Sequence, residues 1–180
     1  DGCWRLLSFI PGSTVDAFSS PAQAASAGAL VGRFHSALSD LDIDFPHQRI
    51  HAHNTVAHMQ DLETALQAAS AHPLAGPAQK LGRGIQDAWS SWDGELDLPE
   101  RICHGDLKVS NIRMDASAAR AICLIDLDTL GRLPYAVELG DAWRGWCNPA
   151  PEDDLDGVRF DLDIFTATAQ AWLGSAPQLS

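Results

Sequence analysis

Three oxygen-bearing side chains near the middle of the chain have types and spacing that suit chemistry on a phosphate. Asp106 and Asn111 lie in the stretch His104-Gly-Asp-Leu-Lys-Val-Ser-Asn111, and Asp126 follows an apolar run further along. Phosphoryl transfer requires a carboxylate that orients the acceptor hydroxyl and oxygen ligands that hold a divalent metal against the phosphates. Asp106 is of the right type for the first task, and Asn111 and Asp126 for the second.

A short strand and a hairpin are predicted to bring these residues together. Residues 98–103 form a short strand that leads into the stretch, and residues 112–115 and 120–126 flank a small polar link, which is typical of a hairpin. The second arm, 120–126, is almost continuously apolar, as expected of a buried strand. Because a hairpin returns its second arm to the start of its first, we expect Asp126 beside Asn111.

The rest of the chain is predicted to be mainly helical. Ser20 and Pro21 form an N-cap and a first-turn proline, and apolar residues then repeat at helical spacing up to Leu38. Gly28 and Gly32 share one face of that helix, where they either let another backbone approach closely or weaken the helix. A further strand is predicted over 4–10. Helices are predicted from Asn54 or Thr55 to Ser70, over 135–146 and over 158–173. Another helix is predicted over 76–92, with Trp89 and Trp92 in the core.

Composition and charge exclude several classes of protein. The 12 basic and 24 acidic residues give a net charge of −12, which does not suit a protein that neutralises nucleic acid or an anionic membrane. No apolar run approaches the roughly 20 residues that a helix needs to cross a bilayer. The four cysteines, Cys3, Cys103, Cys123 and Cys147, form no Cys-x-x-Cys pair, so free thiols in a reducing compartment are expected. We therefore expect a cytoplasmic protein without a nucleic acid or membrane partner, and the oligomeric state stays open.

The central stretch resembles the catalytic loop of protein kinases, in which His-Arg-Asp-Leu is followed after three residues by Asn and, beyond a hairpin, by a second Asp. Residues 104–111 match at each fixed position except the second, Gly105. The chain is similar to the C-terminal lobe of the aminoglycoside phosphotransferase and choline kinase family, most strongly over 98–148. Residues 124–129 and 138–144 most resemble the members that phosphorylate N-acetylhexosamines at the anomeric hydroxyl.

This resemblance implies an α+β fold, a mainly helical kinase-like C-terminal lobe with short β-hairpins around the catalytic loop, and ATP and Mg²⁺ as cofactors. It implies that Asp106 orients or deprotonates the acceptor hydroxyl and that Asn111 and Asp126 bind magnesium. Asp128 would add to the metal or the acceptor site, and Lys108 would either touch the transferring phosphate or remain solvated. The other implied roles are support of the loop by His104, Asp141 and Arg144, and contact of the backbone at Phe9 and Ile10 with adenine.

The chain departs from the family pattern at two points. Gly105 replaces the arginine that receives activation-loop phosphate in protein kinases, which favours a small-molecule acceptor. No Gly-rich phosphate loop and no Lys–Glu pair precede residues 4–12, which resemble the last N-lobe strand and the hinge. By this resemblance residues 1–14 end the N-terminal lobe, residues 15–180 are the C-terminal lobe, and the rest of the N-terminal lobe lies upstream. Such a chain holds half an ATP site and is expected to bind nucleotide weakly and to catalyse poorly.

Two other functions are compatible with parts of the sequence. Asp126-Leu-Asp128 also resembles the nucleophile strand of haloacid-dehalogenase-type phosphatases, although the residues after it have a helical pattern rather than alternating strands and helices. A truncated or degenerate kinase-like lobe could act as a binding module, because Asp, His and Asn in loops often cap helices and close turns. The acceptor of a kinase would be a small molecule, an N-acetylhexosamine-type amino sugar or an aminoglycoside, between which a fold does not decide.

Overall fold

Helices and short antiparallel strands make up the regular structure of the chain. The computed structural model describes residues 4, 6–45, 52–69, 71–94, 98–151, 154 and 156–177. In chain order the elements are α1 (Pro21–Ala37), α2 (Thr55–Ala68), α3 (Ala75–Ser90), β1 (Glu100–Cys103), β2 (Ile112–Met114), β3 (Ala121–Leu124), β4 (Gly131–Pro134), α4 (Tyr135–Trp146) and α5 (Leu162–Ser175). Single 3₁₀ turns cover Val109–Asn111 and Leu127–Thr129. Of the described helices, none is long and apolar enough to cross a membrane.

The chain divides into two compact units. The larger comprises residues 1–48 and 100–180, and the smaller comprises residues 49–99. The sequence predicts one lobe over 15–180, because helical periodicity indicates which face of a helix is buried and not which neighbour buries it. The smaller unit contains α2 and α3, and the Asn54 side chain caps α2 as predicted. The end predicted for α2, Ser70, lies outside the described residues.

The tryptophans of the smaller unit are not in a core. Trp89 and Trp92 stack on each other with ring centroids 5.2 Å apart, and Trp92 is 48% exposed. The predicted core position is therefore wrong for Trp92, and Trp89 is only half-buried. Two helices that pack mainly on each other have too little surface to enclose two large rings.

In the larger unit, α1 and α5 approach each other closely. The predicted N-cap of α1, Ser20, accepts a hydrogen bond from the third helical residue at 3.2 Å. Gly28 of α1 faces the backbone of Thr168, and Gly32 faces the backbone of Trp172. The two glycines therefore allow close backbone approach, which is the first of the two predicted alternatives.

The core of the larger unit lies among α1, α4, α5 and the β2–β3 hairpin. Its buried members are Ala24, Ala27, Val31, Leu107, Val109, Ile112, Met114, Ala121, Leu124, Leu139, Ala142, Trp146, Cys147, Ile164, Trp172 and Ala176. Leu107 and Val109 belong to the stretch that carries the polar residues of interest. Full burial of a large apolar side chain stabilises a fold by roughly 1.5–3 kcal/mol. Burial of Leu107 and Val109 in the core therefore holds this stretch in place.

Two antiparallel strand pairs flank the central stretch. The predicted hairpin is present, with Ile112 of β2 opposite Leu124 of β3. β1 pairs with β4, which the sequence analysis does not predict, and Cys103 lies opposite Gly131. Both sheets of the described residues have two strands and are antiparallel. A haloacid-dehalogenase-type phosphatase requires a parallel Rossmann-like sheet, so the fold does not support that alternative.

The strand predicted over 4–10 is wrong for the residues that the structure describes. Residues 4 and 6–10 have no regular secondary structure, while residues 1–3 and 5 lie outside the described part of the chain. A strand requires a neighbour to pair with its backbone groups. Within the described ranges a backbone bridge occurs only after this segment, between Ser13 and Met114.

The cysteines whose positions are described are free. Cys103 and Cys147 are buried, and Cys123 is half-buried. The fourth cysteine, Cys3, lies outside the described residues. For three of the four positions, the prediction of free thiols therefore holds.

Candidate active site

Asp106 and Asn111 are hydrogen-bonded to each other across the loop that follows β1. Asn111 Nδ2 donates to the main-chain oxygen of Asp106 at 2.9 Å and to its carboxylate Oδ2 at 3.1 Å. Asn111 is buried, at 5% exposure, and lies at the end of the first 3₁₀ turn. Asn111 thus uses its amide nitrogen toward Asp106, and its Oδ1 takes no part in these two hydrogen bonds.

Lys108 lies on the solvent side of the same carboxylate. Its Nζ is 2.9 Å from Asp106 Oδ2, and the two side chains are 58% and 29% exposed. Such a partly exposed ion pair contributes little to folding stability. It does put a cation beside a partly accessible carboxylate.

Asp126 is returned to this loop by the hairpin. The backbone N–H of Ile125 donates to Asn111 O at 3.0 Å. Asp126 follows with φ 64° and ψ 54°, a left-handed conformation that is uncommon outside glycine and recurs at functional sites. The carboxylates of Asp126 and Asp128, which lies in the second 3₁₀ turn, are both exposed.

His104 is buried and links the loop that follows β1 to the segment that follows β3. Its Nε2 donates to Ile125 O at 2.9 Å, and Thr129 Oγ1 donates to His104 O at 2.8 Å. The side chain is fully buried, and its Nδ1 has no hydrogen-bond partner among the described residues. Because a carbonyl oxygen only accepts, His104 Nε2 carries the proton of this hydrogen bond. His104 thus links the two backbone segments and is buried away from solvent.

The backbone conformation of the loop requires a glycine at position 105. Its φ is +79°, and a Cβ there would lie inside van der Waals contact of Thr129 O. Its N–H donates to Glu138 Oε1 of α4 at 2.6 Å. An L-residue with a side chain, such as the arginine of protein kinases, fits neither the dihedral angle nor the space.

α4 supports the loop through residues that the sequence analysis does not single out. The buried Glu138 accepts from the loop backbone, and Trp146 Nε1 donates to Leu107 O at 2.6 Å. The predicted support residues Asp141 and Arg144 lie one turn apart on α4 and pair with each other, with Arg144 Nη2 2.9 Å from Asp141 Oδ1. Glu138 and Trp146 thus contact the loop from the buried face of α4.

The segment predicted to meet adenine lies along β2. Arg113 Nε donates to Ile10 O at 3.1 Å, and the Arg113 guanidinium lies 6.0 Å from the centroid of the Phe9 ring. The bridge between Ser13 and Met114 adds a second attachment. β2 begins directly after Asn111, so this segment is attached to the strand that leads out of the loop carrying Asp106 and Asn111.

These features together, a mainly helical α+β lobe with a catalytic loop and a hairpin that returns a carboxylate to it, define the C-terminal lobe of a kinase-like fold. A solved structure titled "Crystal structure of aminoglycoside-3'-phosphotransferase of type VIII" is similar, with a TM-score of 0.52 and 19% sequence identity. The match covers 92% of this chain and 59% of that chain. This likeness concerns the fold.

Family membership follows from the sequence itself. The model of the phosphotransferase enzyme family (APH) matches residues 1–172. The chain belongs to this family. It spans 59% of the length of the aminoglycoside phosphotransferase whose fold it shares.

Proposed function

We propose that the chain is the catalytic lobe of a small-molecule kinase that transfers a phosphoryl group from ATP, with Mg²⁺, to a hydroxyl group. The observation that carries the proposal is the pair of hydrogen bonds between Asn111 and Asp106, with Asp126 tied to the same loop through Ile125. A carboxylate for a hydroxyl thus lies in one loop system with oxygen donors for a metal. Membership of the phosphotransferase enzyme family supports the reaction class.

Three side chains of the loop would have different roles in phosphoryl transfer. Asp106 would accept a hydrogen bond from the acceptor hydroxyl and turn its oxygen toward the phosphate. Lys108, beside the same carboxylate, would contact the transferring phosphate as a point charge. His104 is buried and would act only by fixing the loop.

The residues proposed to bind Mg²⁺ fit that ion. Asn111 Oδ1 and the exposed carboxylate of Asp126 are hard oxygen donors, which Mg²⁺ prefers. Asp128 is a further exposed carboxylate in the adjoining turn and would serve the metal or the acceptor. When bound, Mg²⁺ would neutralise the charge of the phosphates. The left-handed backbone conformation at Asp126 sets the direction in which its side chain projects.

The nucleotide is proposed to meet the backbone at Phe9 and Ile10. Arg113 ties this segment to β2, which supports a fixed distance between the base and the metal residues. In this proposal residues 1–14 are the end of an N-terminal lobe and the hinge, and residues 15–180 are the C-terminal lobe.

The proposed acceptor is an amino sugar of the N-acetylhexosamine type, or an aminoglycoside. The motif resemblance over 124–129 and 138–144 favours the neutral amino sugar, whereas the net charge of −12 suits a cationic aminoglycoside. A panel of hexosamines, aminoglycosides and choline, incubated with full-length protein, ATP and Mg²⁺, distinguishes them. Phosphorylation of none would contradict the proposal, and Mg²⁺-dependent ATP binding without transfer would instead favour a binding module.

Substitution of Asp106 by Asn tests the chemistry directly. We expect Asp106→Asn to lower kcat by about 10²- to 10⁴-fold, the range typical of a lost general base, because the amide accepts the hydroxyl proton poorly. Steady-state kinetics with the best acceptor of the panel measure the effect. The matched control is Asp40→Asn, at an exposed aspartate after α1, which should keep the wild-type kcat. Equal losses in both variants would contradict the role of Asp106.

A further inference from the structure

Beneath the catalytic loop, buried hydrogen bonds join three helices to Gly105. Trp172 Nε1 of α5 donates to His35 Nδ1 of α1 at 2.9 Å. His35 Nε2 lies 2.5 Å from Glu138 Oε2 of α4, and the other carboxylate oxygen accepts from Gly105 N at 2.6 Å. The three side chains are 7%, 0% and 2% exposed. We refer to them as the Trp172–His35–Glu138 network.

The donors and acceptors of this network fix where its protons lie. An indole N–H only donates, so His35 Nδ1 must accept from Trp172, and the proton of the neutral ring is on Nε2. Nε2–H then donates to Glu138 Oε2, and Gly105 N–H donates to Oε1. Each carboxylate oxygen thus receives a donor, and a second proton on His35 would face the indole N–H. Trp172 therefore selects the tautomer that His35 needs to hold Glu138.

We infer that Trp172, His35 and Glu138 are positioning residues for Asp106. The network ends on the amide of Gly105, so it sets the backbone from which Asp106 projects. Buried hydrogen bonds to a charged group are strong, and losing one partner leaves the other unsatisfied. The inference rests on the proposed function, in which Asp106 orients the acceptor hydroxyl. A misplacement of about 1 Å at such a group costs on the order of 10²-fold in rate.

A metal ion is the alternative occupant of this position. The ligand atoms of His35, Cys103 and Glu138 lie within 4.8 Å of one another. Each of them already has a protein partner, since Cys103 Sγ donates to Leu133 O at 3.3 Å. Burial first, and the Glu138 carboxylate second, raise the pKa of the Cys103 thiol strongly, so it remains a neutral donor. The described contacts therefore favour the hydrogen-bond network over a metal site.

Steady-state kinetics of the full-length protein test the inference. Trp172→Phe removes the indole N–H and keeps an aromatic ring, whereas His35→Leu removes both ring nitrogens. We expect kcat to fall by about 10- to 100-fold in His35→Leu and by less in Trp172→Phe, with KM for ATP and acceptor within about twofold of wild type. His35→Gln keeps an N–H that can reach Glu138 and should recover part of kcat. The matched control is Trp143→Phe, which removes an indole from α4 that packs on Phe165 outside the network and should keep the wild-type kcat.

Hydrogen exchange of the Gly105 amide, followed by NMR in the same full-length variants, is a readout that needs no activity. Exchange should accelerate at least about tenfold in His35→Leu and Glu138→Gln, and stay unchanged in Trp143→Phe. Unchanged exchange and kcat in a folded His35→Leu protein would overturn the inference. An equal loss of kcat in Trp143→Phe would also overturn it, as would stoichiometric zinc that is lost in Cys103→Ser.

The two readouts separate this inference from the proposed function. If the wild-type protein phosphorylates no acceptor while Gly105 exchange accelerates in the variants, the network holds the loop and the proposed function is wrong. If wild type transfers phosphate and His35→Leu changes neither kcat nor exchange, the proposed function stands and the positioning role is wrong.

Discussion

Gly105 is the residue at which backbone geometry constrains the site most directly. It combines φ +79° with close contact to Thr129 O. We expect Gly105→Ala to lower the free energy of unfolding by about 1–3 kcal/mol, the cost of one strained backbone position. Relief of the contact would move the loop, so kcat should fall as well. Urea denaturation and steady-state kinetics of the same preparation measure the two effects.

Gly140→Ala is the matched control for this substitution. Gly140 lies on α4, and a Cβ there would meet no atom within 4 Å. Alanine at an open helical position should raise the free energy of unfolding by about 0.5–1 kcal/mol and leave kcat unchanged. If Gly105→Ala behaved like Gly140→Ala, the constraint assigned to the loop backbone would not exist.

Spacing along the chain is enough to identify some residues of the candidate site and not others. Asp106 and Asn111 stand in one short stretch, so their separation is fixed locally and can be recognised in the sequence. Glu138 and His35 are 103 positions apart, and only the fold brings them together. Each leaves a weak signal, because a charged or polar residue stands on the buried stripe of its helix. Buried polar residues on different helices can be expected to pair, but the sequence does not identify the partner of each.

Among the elements, the contact between α1 and α5 depends most on small side chains. Gly28 lies against the backbone of Thr168, which cannot move aside as the end of a flexible side chain can. We expect Gly28→Ala to lower the free energy of unfolding by about 1–3 kcal/mol, as overpacked cores do. Since α1 carries His35 and α5 carries Trp172, kcat should fall as well.

Gly174→Ala on α5 separates this effect from helix propensity. A Cβ at Gly174 would meet no atom within 4 Å, so alanine there should leave stability unchanged or raise it by up to about 1 kcal/mol. Thermal and urea unfolding of both variants compare them. Equal stabilities for Gly28→Ala and Gly174→Ala would show that α1 and α5 are not packed through their backbones.

Helices and the hairpin are predictable here because their patterns are local. α1 begins at its predicted proline, α4 has its predicted bounds, and the β2–β3 hairpin follows from its polar link. β4 is a strand only because it pairs with β1, 28 to 34 positions away in sequence. The segment 4–10 has strand-like residues without such a partner in the described chain. Strands need partners that periodicity cannot supply.

At the scale of the whole molecule, the fold class is more predictable than the acceptor. The catalytic-loop pattern predicts a kinase-like lobe, and the family match over residues 1–172 agrees with that prediction. The division into two units is not predictable, because it depends on contacts among helices. The acceptor depends on side chains around a site that one fold can surround in many ways.

Buried thiols give the whole molecule a specific dependence on alkaline pH. Burial first, and Asp161 second, raise the pKa of the Cys147 thiol from about 9 to about 11. In this window the unfolded chain loses the thiol proton and the folded chain keeps it, so the free energy of unfolding falls as pH rises from about 9 toward 11. Urea denaturation at pH 8, 9 and 10 should show this fall, less steeply in Cys147→Ala. Thr168→Val, which alters a buried residue that does not titrate, should lower stability by the same amount at each pH. A slope in Cys147→Ala equal to that of wild type would show that this thiol ionises alike in both states.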